Sequence, residues 1–267
     1  VPDRPGQALV VRRSSTAKRR STRRSPAPRG AGRRTPNENR LLAALPADEF
    51  DRIAPLLELI PLQLKHVLHK PDDPVGHVYF PGGGFCSVLT VLEDGNMVEV
   101  ATIGREGMVG TSAIVNGSSP DPSTTMVQAA SDICYRMTTA AFGAELERRG
   151  EFSAVLRRYA QALVGFMMQS IACNAVHSIE QRLARWLLMA QDRVARNEFP
   201  LTQEFVAMML GATRPTVTVV AGTLQRADLI AYHRGRITIV DREGLEQASC
   251  ECYRAVTTLL AAVTNHA

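Results

Sequence analysis

Leu201-Thr202-Gln203-Glu204-Phe205-Val206-Ala207-Met208-Met209-Leu210, then Gly211-Ala212-Thr213, then Arg214-Pro215-Thr216-Val217-Thr218-Val219-Val220-Ala221-Gly222-Thr223-Leu224-Gln225-Arg226, is the stretch that decides the fold. Thr202 stands as an N-cap, and Glu204 in the first turn favours the helix dipole. Gly211-Ala212-Thr213 supplies a tight turn. Pro215 falls in the first turn of a second helix, where its missing N–H costs little, although proline biases the preceding Arg214 away from helical backbone. Two helices joined by a glycine-containing turn make a helix-turn-helix. Residues 229–233, Arg234-Gly235-Arg236 and residues 237–240 then read as a β-hairpin, which makes the motif winged.

At about 100° per residue, Val217, Val220, Ala221 and Leu224 share the inner side of the second helix. Pro215, Val219, Gly222 and Arg226 fall opposite, flanked by Thr216, Thr218 and Thr223. That outer face is expected to enter the major groove of double-stranded DNA, with Val219 and the threonine methyls against thymine methyls and Arg214 on a guanine. Gln203, Thr213, Arg214, Pro215, Thr216, Thr218, Val219, Arg226, Arg234 and Arg236 are therefore the expected DNA-binding residues. The Arg234-Gly235-Arg236 tip is placed to meet backbone phosphate.

Upstream, residues 180–193 form an amphipathic helix, and Glu151 to Val176 a long one. In the long helix Phe152, Leu156, Tyr159, Leu163, Phe166, Ser170 and Cys173 recur at alternating spacings of four and three. This a/d seam suits two helices side by side, so these seven are the expected dimerisation residues. A helix seated on its own domain is the alternative such a stripe allows. Val155, Ala162, Val164, Met167, Met168 and Ile171 are apolar too, so the helix needs partners on more than one side.

Between Pro61 and Met137 short β-rich runs (75–80, 85–92, 97–103, 126–130 and 133–137) alternate with Gly/Pro/Asp turn clusters, among them the hairpin turn Asp94-Gly95. Such spacing indicates an all-β barrel or roll. Residues 39 to about 59 read as two short helices broken near Pro46. The fold class is thus α+β, with an N-terminal roll (39–150), a long helix (151–176), a winged helix-turn-helix (177–250) and a C-terminal helix or tail (251–267).

The chain of 267 residues is 45% hydrophobic, enough to bury a sizeable core in two domains. Its net charge of +5 is unevenly placed: residues 1–40 hold twelve Lys/Arg against two acids, leaving 19 bases against 24 acids elsewhere. The Arg/Ser/Pro-rich segment 1–38 is expected to be disordered, a basic arm for phosphate or an extension with no role. No apolar run approaches the roughly 18 residues of a membrane span, and the five scattered cysteines suggest a reducing, cytoplasmic setting. Cys250 and Cys252 form the one close pair. Without a further Cys/His set they fall short of a zinc site, so no metal is expected. His66 and His69 read as exposed. No Ser-His-Asp logic, Gly-x-x-x-x-Gly-Lys loop or paired-carboxylate pocket supports an enzyme.

Three stretches carry a family resemblance. They are Glu93-Asp94-Gly95 with Val98-Glu99-Val100-Ala101-Thr102-Ile103-Gly104-Arg105-Glu106-Gly107-Met108-Val109-Gly110; His177-Ser178-Ile179-Glu180-Gln181-Arg182-Leu183-Ala184-Arg185-Trp186-Leu187; and Leu201-Thr202 with Leu229-Ile230 and Arg234-Gly235-Arg236-Ile237-Thr238-Ile239-Val240-Asp241-Arg242. Over about 39–250 the chain resembles the Crp/Fnr superfamily of bacterial transcription regulators. The resemblance implies a cyclic-nucleotide-binding-type roll acting as sensor, homodimers on pseudo-palindromic promoter sites, and RNA polymerase as a partner. Cyclic AMP receptors hold the ribose with Gly-Glu and the phosphate with Arg-Ser. Gly110-Thr111 and Ser123-Thr124 stand at those positions here, and a cyclic phosphate without that arginine lacks its cationic partner. Cyclic nucleotide is therefore not expected, and Gly110, Thr111, Ser112, Ser123, Thr124 and Thr125 are candidates for some other ligand. The clustered N-terminal cysteines of the family's iron–sulfur sensors are missing, which argues against such a cluster. The expected function is a sequence-specific DNA-binding regulator. The alternative is a ligand-binding module that acts through a protein partner.

Overall fold

Short apolar runs bounded by turn residues become strands here because each can bury one face against a second sheet. The structure, a computed structural model, describes residues 38–265. Apart from Glu38, the basic tail expected over 1–38 lies outside the described residues.

Two short helices, α1 (Arg40–Ala43) and α2 (Ala47–Ile53), open the described chain. Asn39 is fully buried and spends its whole amide. Its Oδ1 accepts from the Leu41 and Leu42 N–H groups, and its Nδ2 donates to Pro81 O and Gly107 O at 2.9 Å each. That pins α1 to the roll.

The roll comprises β1 (Glu58–Leu62), β2 (Val67–His69), β3 (His77–Pro81), β4 (Phe85–Val91), β5 (Met97–Ile103), β6 (Thr124–Ala129) and β7 (Ser131–Thr138), with the one-turn helix α3 (Ala113–Asn116) before β6. They form two antiparallel sheets, β1-β7-β3 and β2-β6-β4-β5. Strands expected at 85–92 and 97–103 are found, and so is their turn: Asp94 Oδ1 accepts from Asn96 N at 2.9 Å, and Gly95 takes a positive φ of 83°. Strand β1 corrects the reading of helix to about residue 59. Only Leu62 is buried and Ile60 half-buried, and pairing with β7 overrides local propensity. Strand β2 and helices α3 and α4 (Thr139–Glu147) were likewise unread. His69 is buried in β2, with Nε2 2.9 Å from His77 O, which corrects its expected exposure.

Helix α5 (Glu151–Val176) has the expected bounds and lies along the roll. Phe152 packs on Phe80 and Phe142, and Tyr159 donates its hydroxyl to Met108 O at 3.3 Å. A Cβ at Gly107 would overlap the Tyr159 ring, so this close approach requires glycine.

The C-terminal region follows: α6 (Ile179–Val194), β8 (Glu198–Pro200), α7 (Gln203–Leu210), α8 (Arg214–Arg226), β9 (Ile230–His233), β10 (Arg236–Ile239), α9 (Arg242–Ala248) and α10 (Cys252–Ala262). Helix α6 begins at a capping box, Ser178 with Gln181. It locks onto the roll through polar and aromatic contacts. Arg193 Nη2 lies 2.7 Å from Glu106 Oε1 and donates to Thr102 O at 3.2 Å, in a buried ion pair. Such a pair specifies geometry more than it adds stability. Trp186 sits edge-on between Phe85 of the roll and Phe205 of α7, with centroids 5.9 Å from each.

Candidate nucleic-acid interface and its control elements

Thr202 caps α7 by accepting from Phe205 N, and Gly211 ends it in the left-handed conformation. Thr213 then caps α8. The two helices meet at a bend of 103°, within the helix-turn-helix range. Arg214 is the first residue of α8 despite the following proline: at the first turn no earlier helical carbonyl exists for the ring to strike.

Inward on α8, Val217, Ala221 and Leu224 are buried and Val220 is half-buried. Outward, Thr213, Arg214, Pro215, Thr218, Val219 and Arg226 are exposed, Val219 to 66%, while Gln203 and Thr216 are half-buried at the edge. The Thr218 hydroxyl lies 2.8 Å from Gln203 Oε1 and 3.0 Å from Arg214 O, which ties α7 to the start of α8. Arg214 is held toward Glu204 at 3.1 Å.

Strands β9 and β10 pair antiparallel, and Arg234 and Gly235 form the tip with φ of 47° and 74°. Two successive positive φ values define the tight turn that matches strand twist. The unexpected β8 adds a third strand. Arg236 is paired with Glu198 across it, whereas Arg234 has no carboxylate partner among the described residues. Tyr232 N donates to Gln225 Oε1 at 3.2 Å, a link between the wing and α8.

A cavity of about 690 Å³ opens between the roll and α5. Gly110, Thr111, Ser112, Ser123 and Thr125 line it; Thr124, the sixth candidate, does not. Apolar side chains from β5 and α5 complete the wall, and the charged lining groups are the carboxylates Glu99 and Asp121, with no lysine or arginine. Glu99 also accepts from Trp186 Nε1 at 2.7 Å and from Ser87 Oγ. Burial pushes its carboxyl up to about 7, against the hydrogen bonds from Ser87 and Trp186 that favour the ionised form. One side chain thus touches both the cavity and the first helix of the DNA-binding region.

The seven a/d residues of α5, Phe152, Leu156, Tyr159, Leu163, Phe166, Ser170 and Cys173, are all buried within their own chain. The helix presents a different apolar face to solvent: Val164, Met168, Ile171 (70% exposed) and Val176. The seam therefore packs inside the chain, the alternative that such a stripe allows.

The expectation of no metal rested on Cys250 and Cys252 having no further Cys/His set, and the structure supplies one. Cys173 in the last turn of α5 and His177 at its C-cap meet Cys250 and Cys252 from the α9–α10 junction. One ligand atom from each lies within 4.8 Å of all the others, so the cluster could hold a metal ion. The further Cys/His set begins at Cys173, 77 residues before Cys250. The i,i+4 spacing of Cys173 and His177 on one helix face was the signal that could have found it.

Known proteins are similar to this chain in sequence and fold. Residues 181–248 match the Crp-like helix-turn-helix domain family. A global nitrogen regulator of Synechococcus elongatus is 24% identical over 201 residues, covering 70% of this chain and 90% of that protein. Among solved structures, a CRP-family transcriptional regulator from Thermus thermophilus superposes with a TM-score of 0.58 at 19% identity, covering 71% of this chain and 95% of the other. A Crp/Fnr-family regulator from Eubacterium rectale gives 0.60 at 17% identity, covering 79% and 98%.

Proposed function

We propose that the chain is a transcriptional regulator of the Crp/Fnr type, on its match to the Crp-like helix-turn-helix domain family and its likeness to regulators of that fold, and that it reads promoter DNA as a homodimer under control of an apolar ligand. The observation that carries this reading is the outer face of α8, where Arg214, Pro215, Thr218, Val219 and Arg226 are exposed beside an arginine-tipped wing. In the major groove, Arg214 pairs with a guanine, Val219 meets a thymine methyl, and Thr218 keeps Arg214 and Gln203 in register. Arg226, Arg234 and Arg236 serve the phosphates. Thr213 and Thr216 close the cap, and Pro215 approaches the backbone.

The dimer contact runs along Val164, Met168 and Ile171 of α5. Val164 and Ile171 also line the roll cavity, so a ligand there alters the surface on which the second copy sits. The cavity's two carboxylates and its lack of cations support a neutral or cationic, largely apolar ligand over a cyclic nucleotide. A ligand that takes the Glu99 carboxyl withdraws it from Trp186, and the signal passes into α6. Family resemblance adds the cytoplasm as the setting and RNA polymerase as a partner.

Footprint sequencing with purified protein tests the proposal. It should return a two-fold symmetric motif whose half-sites are spaced by about 10–10.5 base pairs. Uniform protection of every sequence, or none, rejects it.

A further inference from the structure

We propose that Cys173, His177, Cys250 and Cys252 bind one Zn2+ per chain and fasten the joint between α5 and the DNA-binding region. The distances fit a mononuclear tetrahedral centre. With metal–sulfur bonds of about 2.3 Å and a metal–nitrogen bond of about 2.0–2.1 Å, tetrahedral edges come to roughly 3.8 Å for S···S and 3.6 Å for S···N. Cys173 Sγ lies 3.5 Å from Cys250 Sγ, and Cys252 Sγ lies 3.6 Å from His177 Nδ1. All four ligand atoms fall within 4.8 Å. Three thiolates and an imidazole form a soft donor set that selects zinc over hard cations.

The surroundings supply what a zinc centre needs. His177 turns Nδ1 inward and places Nε2 3.2 Å from the Glu251 carboxylate, the outer partner that fixes tautomer and ring orientation at zinc histidines. Gln169 Nε2 donates to Cys252 Sγ at 3.0 Å. Three thiolates around Zn2+ leave a net charge of −1, and two buried arginines are at hand. Arg182 and Arg185 are both buried, and Arg182 Nε and Arg185 Nε and Nη1 have no hydrogen-bond partner. The Arg185 charge acts on Cys173 and Cys250. Buried guanidinium N–H groups without partners are costly, and an anionic metal–thiolate centre offsets that cost.

The position assigns the role. His177 is the C-cap of α5 and Ser178 the N-cap of α6, so the cluster lies at the two-residue joint through which the roll and long helix meet the DNA-binding region. The metal ties this joint to the segment beyond the wing, and it forms as the three thiols release their protons to water.

The test uses the full chain, stripped of metal under reducing, oxygen-free conditions and titrated with Co2+. One equivalent per chain should give the visible absorption of tetrahedral thiolate-bound cobalt, and Zn2+ should abolish it. Cys252→Ser and His177→Ala should lose that signature. Glu251→Ala, at a residue 69% exposed to solvent on its side chain, should keep the fold and lower zinc affinity about 10–100-fold. Thiol alkylation mapped by mass spectrometry should label Cys173, Cys250 and Cys252 after chelation but not in zinc-loaded protein. Cobalt that stays six-coordinate, His177→Ala and Glu251→Ala proteins that bind zinc as the parent does, or a Cys173–Cys250 disulfide in protein from reducing cells each overturns the site. None of these readouts depends on DNA binding, so the two proposals fail separately.

Discussion

Helices α8 and α5 are both rich in apolar residues, yet they distribute them differently. In α8 the buried Val217, Ala221 and Leu224 alternate with threonines and arginines, so only one orientation hides the apolar side. In α5 nearly every direction is apolar, and the heptad seam could face the roll or another helix equally well. It faces the roll, and a narrower exposed face (Val164, Met168, Ile171) is left over. Periodicity therefore gives the phase of a helix only where polar residues mark the other side.

Substitution can break this comparison. On the buried seam, Leu156→Ala should cost about 2–5 kcal/mol of folding stability, because it opens a cavity that the sheet cannot fill; denaturant unfolding measures it. On the exposed face, Ile171→Glu should shift folding stability by no more than about 0.5 kcal/mol and abolish dimerisation in sedimentation experiments. If Ile171→Glu left the oligomeric state unchanged, the exposed face would lose its assignment.

The faces of α8 separate in the same way. Arg214→Ala should cost roughly 1–3 kcal/mol of operator affinity and relax preference at one base position. Its folding stability should barely change, since the Glu204 pair is an exposed one. An operator affinity equal to the parent's removes Arg214 from base reading.

Glu99 joins the two regions. Its carboxyl has a folded value of about 7 against an ordinary 4.5, so the folded protein holds the proton more tightly than the unfolded chain. The group's contribution to stability is full below 4.5 and is lost as pH rises to about 7. Glu99→Gln should flatten that part of the stability–pH curve, a difference of about 1–3 kcal/mol. Superimposable curves from Glu99→Gln and parent proteins would show that the carboxyl does not titrate in this window.

The smallest effect belongs to the wing. Arg234→Ala should weaken binding about equally on all sequences and reduce the slope of log affinity against log salt by about 1. A change confined to one base position would instead make Arg234 a base contact.

What could be read in the chain itself was whatever rests on local chemistry. The cap at Thr202, the turn at Gly211, the hairpin at Asp94-Gly95 and the inner face of α8 are each encoded within a few residues, and each is found where expected. The helix-turn-helix and the candidate reading face followed from them. Strand β1 did not, because its pairing with β7, such as Glu58 with Arg136, joins residues distant in sequence and overrides a helical pattern. The facing of α5 and the meeting of Cys173 and His177 with Cys250 and Cys252 were also settled by packing alone. Local spacing sets dihedral angles and periods, but which apolar face is covered, and which distant thiols converge, depends on how the whole chain closes its core.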